Sequence, residues 1–185
     1  MADLFVALLH HPVVDRNGRV VTSAITSLDL HDIARSARTY GVRGFYVAHP
    51  IAEQRDFALQ VLDHWRLGHG RRYDSRRREA LDLVEVVAGL DDAIAAAERI
   101  AGARPLLVYT SARAENGISF AELRRRRETA GAPPLMLMLG TGFGLAPPML
   151  EVADLVLEPI NGPGPYNHLS VRAAASIMLD RLCRS

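Results

Sequence analysis

The chain has 185 residues, 49% hydrophobic and 23% charged, enough for one buried core and too apolar for a disordered segment. The formal net charge of +1 excludes a uniformly basic nucleic-acid coat, though not a local patch, and the 22 basic residues are all arginine, as GC-rich codons would produce. The lone Cys183 excludes an internal disulfide, so a soluble protein of a reducing, cytoplasmic compartment is expected.

The chain opens on Leu4–Leu9, an unbroken apolar run of the kind a strand covered on both faces shows. No basic stretch precedes it, and His10, His11 and Pro12 follow, so it is too short for a leader or a membrane span. Arg16–Arg19 signals a turn. Over Leu28–Tyr40, residues Leu30, Ile33, Ala34, Ala37 and Tyr40 recur at helical spacing and make one apolar stripe, closed by Gly41. A strand is expected at Gly44–Ala48, a helix at Ile51–Trp65, a polar loop at Gly68–Arg78 and a strand at Leu83–Val87. An alanine-rich helix spans Leu90–Ala101 and ends at Gly102; Pro105–Thr110 is another buried strand. Ser119 with Glu122 forms a capping box for a helix through Thr129. Leu135–Leu139 is a strand, Pro147–Val152 a short helix, Ala153–Leu157 a last strand and Leu169–Leu182 a terminal helix.

Strands alternating with helices predict one α/β domain over residues 1–185, a mostly parallel sheet with helices on both faces. Ligands of such sheets bind beyond the carboxyl ends of strands, which selects the loops after Thr110, Leu139 and Leu157. In LGTGFGLA, after the strand, Gly140, Gly142 and Gly144 let backbone approach a ligand or simply form a tight turn into the next helix. The spacing is G-x-G-x-G and lies late in the chain, so it is no dinucleotide fingerprint. LEPINGPGPYNHLS is rigid and irregular, and it feeds a helix rich in small residues that suits close packing by a loop, a cofactor or a second subunit.

Three segments together resemble the SpoU–TrmD (SPOUT) superfamily of S-adenosylmethionine-dependent RNA methyltransferases, most closely its small single-domain branch. In LDLHDIARSARTYGV, Arg35, Ala37, Gly41 and Val42 fall on the first SpoU motif; LMLGTGFGLA resembles the second and LEPINGPGPYNHLSVRAAASIML the third. Asp29, Thr141 and Ser170 stand where the family usually has asparagine, glutamate and asparagine, which separates the chain from a standard ribose 2′-O methyltransferase.

The resemblance implies a C-terminal deep trefoil knot, a homodimer, no metal and no membrane, and a bent S-adenosylmethionine held by the knot loops. The cofactor would lie against Thr110, Leu139, Gly140, Thr141, Gly142, Leu157, Glu158, Pro159, Ile160, His168, Leu169 and Ser170. It also implies an RNA acceptor, in tRNA or rRNA, with Arg35 as the first acceptor-side residue; on the residues themselves Asp29 or His31 could serve as the base, His31 being better matched by its intrinsic pKa of ~6.5. Arg35 lies nearly opposite the apolar stripe of its helix, with His31 and Arg38 on the same polar side. RNA contacts are expected from Arg38 and from Arg71, Arg72 and Arg76 of the loop cluster around Tyr73. The four residues Arg124–Arg127 sweep more than one helical face, so some are expected to pair with Glu122 or Glu128. A non-catalytic nucleotide- or RNA-binding module of the same fold is the alternative from another class.

Overall fold

The structure, a computed structural model, describes residues 1–68 and 74–184. Its centre is a six-stranded sheet of β1 (Leu4–Leu9), β4 (Gly44–Ala48), β5 (Val84–Val87), β6 (Leu106–Tyr109), β7 (Leu135–Gly140) and β8 (Leu155–Val156). The spatial order is β5-β4-β1-β7-β6-β8 and every pairing is parallel. The apolar runs read from sequence explain this: a strand buried on both faces needs no polar alternation, and β1 has every residue buried.

Side chains of β1 alternate between two cores. Leu4, Val6 and Leu8 join one and Phe5, Ala7 and Leu9 the other, as the period of two requires. The first core is covered by α1 (Ser27–Thr39), α2 (Ala52–Arg66), α3 (Ser75–Leu81), α5 (Phe120–Glu128) and α7 (Val171–Cys183). The second is covered by α4 (Leu90–Ala101) and α6 (Pro148–Glu151). The sheet with helices on both faces is therefore as the sequence predicts. Among the described residues no helix is long and apolar enough to cross a membrane.

One local reading is corrected and one is extended. Residues 75–78, expected in the loop, belong to a helix, because Asp74 accepts a hydrogen bond from the Arg77 N–H and caps Ser75–Leu81. A small hairpin of β2 (Val13–Val14) and β3 (Val20–Val21) surrounds the Arg16–Arg19 turn, with Val13 opposite Val21 and Val14 opposite Val20. Asp15 closes it by accepting from the N–H groups of Asn17 and Arg19.

The arginine run on α5 divides as helix geometry demands. Arg125 and Arg126 both pair with Glu122. Arg127 turns inward, only 6% exposed, and donates to the carbonyls of Ala2 and Leu182, tying both ends of the chain to α5. Arg127→Ala would leave these acceptors unpaired and is expected to lower unfolding free energy by about 1–3 kcal/mol. Denaturant titration would show it; a loss below roughly 0.3 kcal/mol would mean that water replaces the guanidinium without cost.

Candidate functional site

Parallel strands release their chains at one edge of the sheet, and the segments leaving β1, β6, β7 and β8 meet there. They enclose one cavity of about 740 Å³, inside the usual size range of a small-molecule site. It lies beyond the carboxyl ends of β6 and β7, on the side of the sheet that follows β1 in the order and next to the β1–β7 pairing at which the strand order reverses.

Of the residues expected at the cofactor, Thr110, Leu139, Gly140, Thr141, Gly142, Ile160, His168, Leu169 and Ser170 line this cavity. Leu157, Glu158 and Pro159 do not. Leu157 is fully buried in the core, and the Glu158 carboxylate accepts the Phe120 N–H, helping to start α5. Their place just after β8 makes them supports of the third loop, not its inner surface.

The glycine turn is both a tight turn and a cavity wall. A Cβ at Gly140 would stand 2.6 Å from the Leu145 nitrogen, so only glycine allows the chain to fold back there. The returning strand then pairs with the hairpin segment: Val14 N–H donates to Gly144 O, Phe143 N–H to Val14 O, and Ala146 N–H to Pro12 O. These bonds fix the glycine turn against the first quarter of the chain.

A further part of the lining comes from Ser23, Ala24, Thr26 and Asp29, of which only Asp29 was expected from sequence. The signal for the others is the start of α1: Thr26 caps it, its Oγ1 accepting the Asp29 N–H and donating to Asp29 Oδ2 at 2.7 Å. Asp29 is 7% exposed, and its Oδ1 accepts from Arg172 Nη1 at 3.2 Å. Arg172 Nε also faces Asp32 at 3.4 Å, so one guanidinium ties α7 to α1 across the cavity.

Behind this wall lies a pair of buried histidines, with ring centroids 5.5 Å apart. His49 Nε2 donates to Ser23 O at 2.9 Å, while its Nδ1 accepts the Ile51 N–H. His10 Nδ1 donates to Ala48 O, and Ser23 N–H donates to His10 O. Ser23 is thus held by both backbone groups, and its hydroxyl meets Thr141 Oγ1 in a short hydrogen bond. Burial, reinforced by the neighbouring His49, pushes His10 down to about 4, so its ring is neutral at pH 7.

The two candidate bases part company. Asp29 faces the cavity; His31 is two residues on, about 200° around the helix. His31 stands edge-on to Trp65 with its Nδ1 buried and unpartnered, and burial together with Arg77 lowers its pKa. Arg35 is exposed on the His31 side of α1, also outside the cavity of its own chain. Arg38 pairs with Glu79 on α3, and Arg76 is exposed on that helix. Arg71, Arg72 and Tyr73 lie outside the described residues. Among those described, no group of three His, Cys, Asp or Glu side chains gathers as a metal site.

The model of a SAM-dependent RNA methyltransferase family matches residues 3–184. The chain belongs to that family. Its cofactor is S-adenosylmethionine, its substrate is RNA, and membership favours the enzyme over the non-catalytic module. An uncharacterized protein of Aquifex aeolicus is 40% identical over 97% of this chain and 88% of its own length. A tRNA (guanine-N(1)-)-methyltransferase of Nitratidesulfovibrio vulgaris is 44% identical over 97% of this chain, which spans only 42% of that relative. In fold, the methyltransferase resembles the SpoU methyltransferase AviRb of Streptomyces viridochromogenes, solved with the cofactor AdoMet. That likeness has a TM-score of 0.57 and 21% identity, and covers 98% of this chain and 57% of the other.

The His10 shift has a signed consequence. Unfolded histidine takes up a proton near pH 6.5, folded His10 only near 4, so the unfolded state binds more protons between those values. Stability is expected to be full above pH 6.5 and to fall by roughly 3 kcal/mol on acidification to about 4. His10→Gln should flatten that limb in urea titrations across pH; an unchanged slope would assign the acid limb to other groups.

Proposed function

We propose that the cavity at the carboxyl edge of the sheet holds S-adenosylmethionine, and that the protein transfers its methyl group to a nucleotide of tRNA. One observation carries the reading: the loops after β6, β7 and β8 converge on a single cavity, and they include the glycine-rich and C-terminal segments that resemble the second and third SpoU motifs. The lining fits the cofactor. Leu139, Ile160 and Leu169 offer apolar faces for adenine, and the Gly140–Gly142 backbone lies open against them. When bound, S-adenosylmethionine supplies an electrophilic methyl group on its sulfonium. The choice of tRNA leans on the relative from Nitratidesulfovibrio vulgaris, a longer protein named for that substrate.

The chain's own groups orient the acceptor and manage charge. Asp29, inside the cavity, precedes His31 as the group to accept or share a proton, since His31 has its open nitrogen buried on the far side of α1. Ser23 and Thr141 present hydroxyls at the same end. Thr110 donates to Met138 O at 2.7 Å and so stabilises the rim of β6 while lining the cavity.

The knot belongs to the same proposal: residues 157–170 pass through the loop 110–118. Three features support it. Ile118 and Leu157 form a parallel bridge, Asn167 Nδ2 donates to Ala112 O, and a Cβ at Gly117 would stand 2.6 Å from the Glu158 nitrogen. We further propose one domain that acts in the cytoplasm as a homodimer through α1 and α7. Exposed Leu28, 58% accessible, and the small residues of α7 support that surface. Arg35 sits about 120° round α1 from Asp29 and cannot serve the same cavity, so its acceptor is in the second copy.

Calorimetry with S-adenosylhomocysteine is expected to show binding to the wild-type chain and a loss of at least about 10-fold in Gly140→Ala, where the new methyl group displaces the turn; equal affinity would place the cofactor elsewhere. Labelled methyl transfer to tRNA is expected to vanish in Arg35→Ala with S-adenosylhomocysteine affinity retained. Mixing Arg35→Ala with Gly140→Ala protomers should restore transfer, because one site of the mixed dimer is intact when Arg35 acts across the interface. No restoration would mean that Arg35 acts within its own chain or not at all.

A further inference from the structure

The mouth of the cavity carries a row of aromatic rings. Phe143, at the tip of the glycine turn, and His168, in the loop before α7, have ring centroids 6.3 Å apart at 41°. Tyr166 continues the row, 6.5 Å from His168 and edge-on to it at 86°. Phe143 and His168 line the cavity, and Tyr166 extends the row outward. All three are open to solvent, Phe143 at 47% and Tyr166 at 79%. An edge-on contact covers at most one face of one ring, so open faces remain. Beside them, Arg113 is exposed, lines the same cavity and forms no ion pair among the described residues.

Contiguous apolar surface left in water at a site entrance marks a binding surface. The chain's substrate is RNA, and a methyl donor held inside the cavity is reached only by a base that has left its helical stack. Unstacked bases are recognised by aromatic faces, and a neighbouring guanidinium answers the phosphate charge. A cofactor lid explains the row less well, because Tyr166 is 79% exposed and is not part of the lining to which Leu139, Ile160 and Leu169 belong.

We propose that Phe143, His168 and Tyr166 form a stacking platform for an unpaired base of the RNA acceptor, with Arg113 on an adjoining phosphate. The platform rests on the reading that this cavity holds the cofactor. It works as a positioning surface: it holds the strand so that the target nucleotide enters the cavity, and takes no part in bond making.

The test uses the full chain and a single-stranded RNA of about 12 nucleotides carrying a central 2-aminopurine, whose fluorescence falls when the base stacks on an aromatic ring. Wild-type protein is expected to quench the probe. Tyr166→Ala and Phe143→Ala should each lose most of the quenching and bind the RNA about 10-fold more weakly, with Tyr166→Phe close to wild type. S-adenosylhomocysteine affinity should stay unchanged in the Tyr166 variants, since Tyr166 is not part of the cavity lining, and the sedimentation coefficient should stay unchanged in all variants. Equal loss of S-adenosylhomocysteine affinity would make the row a cofactor lid, and altered sedimentation would make it a subunit contact; either overturns the platform, as does unchanged quenching. Failure of the wild-type chain to bind S-adenosylhomocysteine while still quenching the RNA would overturn the cavity reading and with it the platform's role at that cavity, whereas S-adenosylhomocysteine binding without quenching would overturn the platform alone.

Discussion

A methyl group added at Gly140 would collide with the Leu145 backbone nitrogen, and the shape of the whole site depends on that space staying empty. Because the chain can cross itself there, Phe143 and Gly144 return alongside Val14 and hydrogen-bond to it. The hairpin before α1 is thereby fixed to the last third of the sheet. The segment that follows the hairpin brings Ser23 and Thr26 to the cavity, and Thr26 sets the start of α1 and the direction of Asp29. A close backbone approach of this kind is a steric condition, and no nearby side chain can compensate for its loss.

The second condition is electrostatic. Two histidines have ring centroids 5.5 Å apart behind the cavity wall, where ionising both would place like charges in a buried region. His49 bonds to Ser23 O through one ring nitrogen and to the Ile51 N–H through the other. His10 is held neutral by burial. His10 thus adds no charge behind the wall, and the charged side chains paired at this end of the cavity are Asp29 and Arg172. Their pair costs desolvation on both sides, which bonds from Thr26 and Asp32 reduce.

Much of this was legible in the residues. Strands buried on both faces announce themselves as unbroken apolar runs, and Leu4–Leu9, Gly44–Ala48 and Leu135–Leu139 were readable to within a residue. The late glycines and the proline-rich loop after Leu157 were legible as one site because a parallel sheet sends both to the same edge. Ser23 was not, since a serine in an irregular stretch owes its position to His10 and His49, which are remote in sequence or carry no periodic signal. Helix α3 was missed because its four charged residues hide a short apolar contact of Ala80 and Leu81 that only the neighbouring α1 and α2 complete. Leu157 was read as wall and is core, because an apolar residue at a strand end looks the same in either role.

Helix α1 shows why a short motif serves two surfaces. Its residues advance about 100° each, so Asp29 and Arg35, six apart, point about 120° from one another. Asp29 is drawn inward by the cap at Thr26 and by Arg172, and that choice forces Arg35 outward. Any rotation that brought Arg35 to the cavity would swing Leu30 and Ile33, both fully buried, out of the core. The burial of two large apolar side chains is worth several kcal/mol, roughly 1.5–3 kcal/mol each, far more than one exposed arginine gains from a cavity. The hydrophobic stripe therefore fixes the phase of the helix, and with it the division of polar residues between the chain's own cavity and its outer face.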